Sequence, residues 1–361
     1  MAKEVLWYIV PQDGAYPWEP EGRREVDLAY LQNLARGVDR LGYSGALLAT
    51  AFHDVWVLGT ALADVTTRLR PLVAVHPGLI SPVLLAKMAL TFDHLFGGRL
   101  TINVINGDTR TLSTYGLTLA HDERYALARE YWSVFTRLTA GETVDFHGDH
   151  IDVTGAGTGF QQLRPVQKPH VPLWFGGSSE PGLDLAAELI DVYLSWGEPP
   201  ADLKEKIDRL RAKAAQRGRT LRFGLRVHLI VKDTDAEAWS YADHLLKVTR
   251  PETFARQLDL TTNADSVGQN RQLAAHRGRV PDRAKDIESS PNLWPGMGLL
   301  RPGPGTALVG SHANVIERLQ EFESLGVDTF ILSGNPLLEE AHHVAETILP
   351  HLGIPTPGHP A

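Results

Sequence analysis

The sequence predicts an α/β fold, a (β/α)8 TIM barrel with insertions after its strands, formed by a single domain over residues 1–361. Three observations carry this. Short apolar runs of strand length alternate with segments of helical period, as in repeated strand-helix units around a parallel sheet. The runs number eight, which is the barrel number. The long interruptions at about 107–120 and 250–305 follow strand ends, where barrel enzymes carry their working loops, and a further excursion occupies 140–171.

The eight runs are 4–10 (EVLWYIV), 45–49 (GALLA), 69–75 (LRPLVAV), 100–106 (LTINVIN), 172–175 (PLWF), 192–196 (VYLSW), 223–231 (FGLRVHLIV) and 327–333 (VDTFILS). After the first, Asp27 is expected to cap a helix that carries Leu28, Leu31, Ala35, Val38 and Leu41 on one face and stops at Gly42. Ser81-Pro82 opens another, with Leu84, Met88, Phe92 and Leu95 as its apolar face and Gly97-Gly98 as its end. The segment from His121 reads as a helix with a polar first turn, capped by His121 or Asp122. Residues 250–304 are rich in Arg, Asn, Asp, Gly and Pro, and a loop that long in a compact domain reads as a lid over a pocket.

Composition narrows the function. A chain of 361 residues can bury a sizeable core, and 43% hydrophobic with 22% charged content excludes disorder over most of it. Lys plus Arg total 35 against 43 Asp plus Glu, so the net charge of -8 leaves no basic surplus for nucleic acid. No window approaches 18 consecutive apolar residues, and the start MAKEVLWYIVPQDG lacks the pattern of an export signal, so a soluble cytoplasmic protein is expected. The absence of cysteine removes disulfides, thiolate nucleophiles and zinc-thiolate sites together. Chemistry must rest on other groups or on a cofactor.

The seventh run has a period of two. If Phe223, Leu225, Val227, Leu229 and Val231 face the outer helices, then Gly224, Arg226, His228 and Ile230 face the barrel interior. A buried guanidinium needs an anion, either a barrel carboxylate or a bound oxyanion beside a proton-handling histidine. Gly176-Gly177-Ser178-Ser179 joins the fifth run to LDLAAELI, so free N–H groups, two hydroxyls and a helix dipole converge where a phosphate would fit, although such residues also suit an ordinary turn. HGDH (147–150) and His342-His343 lack metalloprotease spacing, and no metal site is expected. GAGTGF (155–160) lacks the strand-helix context of a dinucleotide fingerprint, and neither a Walker loop nor a nucleophile elbow occurs.

Six segments together resemble, over nearly the whole chain, the alkanesulfonate monooxygenase branch of the bacterial luciferase-like, FMNH2-dependent monooxygenases: FGGSS (175–179), WGEPPADLKEKIDRLRAKAAQRGR (196–219), RFGLRVHLIV (222–231), DSVGQNR (265–271), SPNLWPGMGLLRPGPGTALVG (290–310) and LSGNPLLEEA (332–341). The resemblance implies a two-component system. A separate NAD(P)H-dependent flavin reductase supplies reduced FMN, O2 is the oxidant, and sulfonate members release sulfite and an aldehyde. It implies Arg226 and His228 as the catalytic pair, Trp196 at the sulfonate pocket and Arg301 as a lid arginine. Flavin contacts fall on Asn106, Gly107, His121, Tyr125, Gly177, Ser178 and Ser179, and a homo-oligomer, dimer or tetramer, is expected.

Two stretches depart from the branch. Sulfonate members read Ser-Gly-Tyr-Pro-His where this chain has Ser333-Gly334-Asn335-Pro336-Leu337, so Asn335 offers an amide in place of a phenol and Leu337 offers no donor. Thr50-Ala51-Phe52-His53-Asp54 lacks the cysteine of close relatives and makes His53 the local substitute as a substrate contact. The activity that the resemblance implies is oxidation of a small organosulfonate, and these departures leave the substrate open. The alternatives are a related flavin monooxygenase acting on another anion without desulfonation, a deazaflavin-dependent oxidoreductase, and a flavin-binding barrel without catalysis.

Overall fold

The computed structural model describes residues 3–48, 53–262, 267–276 and 278–357. Eight parallel strands form the barrel: β1 (Glu4–Ile9), β2 (Gly45–Leu48), β3 (Arg70–Val75), β4 (Thr101–Val104), β5 (Leu173–Phe175), β6 (Val192–Trp196), β7 (Arg222–Lys232) and β8 (Thr329–Ser333). Each pairs with the next in chain order, and β8 returns to β1 with Glu4 opposite Thr329 and Trp7 opposite Leu332. The expected TIM barrel is the fold observed, and all eight strand runs are strands. Leu6, Leu72, Trp174, Val192, Leu194 and Ile331 fill the interior. Phe223, Leu225, Val227, Leu229 and Val231 pack outward in the main core, as the alternation required.

The helices keep their expected caps. Asp27 accepts from Tyr30 N at 2.7 Å ahead of the helix Leu28–Arg40, and Ser81 accepts from Val83 N and Leu84 N ahead of Pro82–Phe96. One face is corrected. In Pro82–Phe96 the buried stripe is Leu85, Ala86, Ala89, Leu90 and Phe92, whereas Leu84 and Leu95 are exposed. The small alanines sit where the helix must approach its neighbours closely, flanked by Leu85 and Leu90, while Leu84 and Leu95 are turned outward. The helix from His121 runs to Thr139 and is capped by neither His121 nor Asp122. Ala120 is its N-cap residue, with Glu123 accepting from Ala120 N at 2.8 Å.

The insertions differ in kind. Residues 107–120 hold the short helix Thr109–Thr114, next to the mouth of the barrel. The 140–171 excursion carries the hairpin Val144–His147 with Asp152–Ala156 and connects a helix end to the start of β5, so it lies at the other end of the barrel. The 250–305 segment is not a continuous loop. It forms the helices Pro251–Thr262 and Val267–Ala275, a turn at Ala284–Ile287 and the short helix Met297–Leu300. Residues 263–266 and 277, within this segment, lie outside the described residues. Ala284, Ile287, Trp294, Met297, Leu299 and Leu300 build a second core with Trp18, Trp239 and Leu245, which anchors the insertion.

Two features were not read from the sequence. A hairpin, Asp13–Tyr16 with Gly22–Arg24, follows β1. A strand Ala307–Ser311 pairs in parallel with His228–Lys232. β7 outruns β6, whose register ends with Trp196 opposite Arg226, so the exposed edge of its second half needs another partner for its backbone groups.

At the opposite end, Asp39 is buried and accepts from the backbone N–H groups of Thr67, Arg68 and Leu69 at 3.0, 2.9 and 2.6 Å. Burial alone would raise its pKa, but these three donors outweigh it and hold the carboxyl below its usual value. Asp39→Ala is expected to cost about 2–4 kcal/mol at neutral pH, because buried donors lose a charged acceptor. With a depressed folded pKa, the contribution is present above the unfolded value of about 4 and is lost as pH falls through the folded one. Urea unfolding from pH 7 to pH 3 should therefore show the gap between parent and variant closing with acid.

Candidate active site

The C-terminal ends of the strands, the hairpin after β1 and the 250–305 insertion enclose a cavity of about 1490 Å³. Two polar poles stand out in its wall. At the first, β1 and β7 point Tyr8 and Arg226 inward, and Arg301 arrives from the insertion. Both guanidinium groups lie over the Tyr8 ring, Cζ of Arg226 at 4.6 Å and of Arg301 at 5.0 Å from its centroid, and Arg301 Nη2 donates to Tyr8 Oη at 2.9 Å. Arg226 is 2% exposed and donates from Nη1 to Val227 O at 2.9 Å, while its Nε and Nη2 have no partner among the described residues. Burial, opposed by Tyr8 and reinforced by the Arg301 charge, pushes its pKa down to about 9. Among the described residues no carboxylate pairs with either guanidinium. The barrel-carboxylate alternative for Arg226 is thereby removed, and the pole is built to meet an anion.

The second pole lies at the turn between β5 and the helix Glu180–Leu189. Ser179 is the N-cap residue, yet its side chain makes no capping bond and instead donates to Tyr125 Oη at 3.0 Å. Tyr193 Oη donates to Gly177 O at 2.9 Å and holds the turn from behind. A side chain at Gly177 would meet the Phe175 ring at 2.2 Å, so glycine leaves room for that ring against the turn. Lys206 Nζ lies 3.3 Å from Ser178 Oγ and pairs directly with Glu198, whose other oxygen accepts from Arg271 at 2.9 Å. Burial pushes the Lys206 ammonium below its usual range against the pull of Glu198. Hydroxyls, helix N–H groups and a nearby cation make this an oxyanion cradle.

Between the poles, after β4, Asn106 is buried with neither Nδ2 nor Oδ1 partnered among the described residues. A buried amide with both functions open is costly unless a ligand satisfies it. Gly107 follows with φ +67°, a left-handed conformation that turns the chain along the cavity wall.

Of the residues expected at a site, Trp196, Arg226, Arg301, Asn335, Asn106, Gly107, His121, Tyr125, Gly177, Ser178 and Ser179 all line this one cavity. His228 and His53 do not. His228 faces inward on β7 but is sealed behind the wall, with Nδ1 on Ser333 Oγ at 2.6 Å and Nε2 on Pro304 O at 3.1 Å. His53 is exposed beside the N-cap Asp54 of the helix Val55–Ala63, and Thr50, Ala51 and Phe52 lie outside the described residues. Leu337 is in the core. Tyr8, His76, Trp18 and Glu198 line the cavity, and Lys206 stands behind it, without having been singled out from the sequence. Tyr8 was within reach, since it shares the inward phase of Leu6. Trp18 and Lys206 depend on contacts between distant segments.

Comparison with known proteins agrees with this architecture. The luciferase-like monooxygenase family matches residues 5–329. A riboflavin lyase, solved with modified FMN and substrate riboflavin, is 19% identical with a TM-score of 0.77 over 100% of this chain and 94% of that one. A long-chain alkane monooxygenase is 19% identical with a TM-score of 0.74, covering 98% and 92%. The EDTA monooxygenase of Chelativorans sp. BNC1 is 16% identical with a TM-score of 0.73, covering 98% and 95%. With the family match spanning most of its length and the barrel closed as described, this chain belongs to the luciferase-like monooxygenase family.

Proposed function

We propose that the chain is the oxygenating component of a two-component FMNH2-dependent monooxygenase, which receives reduced FMN from a separate NAD(P)H-dependent reductase and oxidises a small organosulfonate with O2. One oxygen atom enters the aldehyde, the other leaves as water, and the carbon–sulfur bond breaks to release sulfite. The observation that carries the reading is the Arg226–Tyr8–Arg301 pole, where the buried Arg226 N–H groups meet no carboxylate among the described residues. A small anion with several acceptor oxygens suits donors of that kind.

The residues also fit FMN. Ser178, Ser179 and the helix N-terminus offer a phosphate cradle, Tyr125 and His121 border it, and the open amide of Asn106 offers both a donor and an acceptor to a flavin ring. Reduced FMN, when bound, supplies two electrons and the place where O2 is reduced. Arg226 and Arg301 would hold the anion, Trp196 would pack against its body, and Asn335 would line its approach. The 250–305 insertion would exclude water, which protects reactive oxygen chemistry from waste.

A second reading has its own support. Asn335 offers an amide where sulfonate members carry a phenol, and Leu337 is in the core and offers no donor, which favours an anion oxidised without desulfonation. Supplying FMN, a reductase and NADH across short, long and sugar sulfonates separates the two. Sulfite release supports the first, and substrate-dependent O2 uptake without sulfite supports the second.

Four outcomes are expected. The double variant Ser178→Ala, Ser179→Ala should bind reduced FMN at least about tenfold more weakly in anaerobic fluorescence titrations, since charge-assisted bonds are lost. Arg226→Met should melt at or above the parent's temperature, because it removes a buried unpaired cation, while turnover falls by about a hundredfold or more. Arg226→Lys keeps charge without the planar fork and should lose at least about tenfold. Arg301→Ala should raise hydrogen peroxide formed per NADH consumed, and unchanged leakage would remove Arg301 from the clamp.

A further inference from the structure

We propose that His228 is a positioning residue, a latch that ties the Arg301–Pro304 turn to the barrel rim and thereby sets where the Arg301 guanidinium stands, and that it neither gives up nor takes up a proton during turnover. This rests on the reading of Arg301 as an anion ligand.

The contacts of the ring fix where its Nε2 proton sits. A carbonyl oxygen can only accept, so the 3.1 Å contact with Pro304 O requires the proton on Nε2. In the neutral ring that burial favours, Nδ1 is then a lone pair and accepts from Ser333 Oγ at 2.6 Å, whereas a charged ring would donate there. Both nitrogens are thus occupied by groups of the wall itself, and the ring is absent from the cavity lining. The backbone repeats the attachment one step further on, where His228 N donates to Thr306 O at 3.0 Å.

The tethered turn is short. Arg301 N donates to Met297 O at 3.1 Å on its near side, and Gly298 N donates to Gly305 O at 3.1 Å across its base. Between them, Arg301 reaches the pole by its bond to Tyr8. The Pro304 carbonyl is therefore the point at which a barrel side chain grips the turn that carries the lid arginine. Burial, with the charges of Arg226 and Arg301, holds the imidazole well below its usual range and keeps it neutral. Lys232 and Glu340 border the small void on its other side.

The test uses the full chain, three single variants and one double variant. Ring nitrogen NMR, assigned by comparison with His228→Gln, should show a neutral Nε2-protonated imidazole from pH 5 to pH 9, and titration within that range would overturn the proposal. Amide exchange over residues 298–306 should accelerate at least about tenfold in His228→Phe, which has no donor. His228→Gln, whose amide can still reach the Pro304 carbonyl but cannot shuttle a proton, should stay within about threefold of the parent. If the Gln variant were as loosened as the Phe variant, or the Phe variant as protected as the parent, the latch would be refuted.

Affinity for 1-octanesulfonate in the FMN-loaded protein, read by tryptophan fluorescence, supplies the coupling. His228→Phe and Arg301→Ala should each weaken it, and the double variant should be no weaker than Arg301→Ala alone. Additive losses would show that His228 acts independently of Arg301 and would also refute the proposal. A parent that fails to bind octanesulfonate, with exchange and ring state as stated, sinks the sulfonate reading and leaves the latch standing.

Discussion

A parallel sheet closed on itself has no free edge, so its register fixes which side chains point inward and at what height. In this barrel Thr329 serves both neighbours of β8, pairing with Glu4 of β1 and with Gly224 of β7. Two steps up, Ile331 stands level with Leu6 and with Arg226. Tyr8 then follows Leu6 on the same inward phase, one layer closer to the mouth, which is where the Arg226 guanidinium rises to meet its ring. Arg222 secures this arrangement at the other end of the strands, donating to Glu4, Asp328 and Thr329. The cationic pole is thus a consequence of closure.

That pole is held against its own interest. Six apolar side chains fill the barrel floor, and any of several others would fill the Arg226 position more cheaply than a guanidinium with two unpartnered N–H groups. A ring face offers partial compensation and an anion would offer the rest. The same logic applies to Asn106, whose amide is buried without a partner. Uncompensated polar atoms gathered in one cavity are the physical mark of a site that is complete only when occupied.

Much of this was legible in the sequence, for reasons that differ by element. The eight strands could be read because each is a short apolar run between turn signals, and Arg226 because alternation along β7 gave its direction. The helix caps at Asp27 and Ser81 were local signals and held. The face of Pro82–Phe96 misled because leucine spacing alone does not say which side an alanine stripe must take. The 250–305 segment looked like a loop because its Gly and Pro content hid helices that are stabilised by packing against Trp239, Leu245 and Trp18. The position of His228 behind the wall depended on Pro304, 76 residues away, and no period along β7 could reveal it.

The second core beneath the 250–305 insertion has a bearing on how such a chain can diverge. Trp18, Trp294, Met297 and their neighbours root the insertion on one side. Leu260 and Arg256 sit on its cavity side, both exposed. Replacement of those exposed positions alters the shape and charge of the mouth while the rooting contacts, and the barrel floor below, stay intact. Heritable change in what the cavity accepts is therefore separable from heritable change in whether the chain folds, and drift of the one can proceed under strict retention of the other.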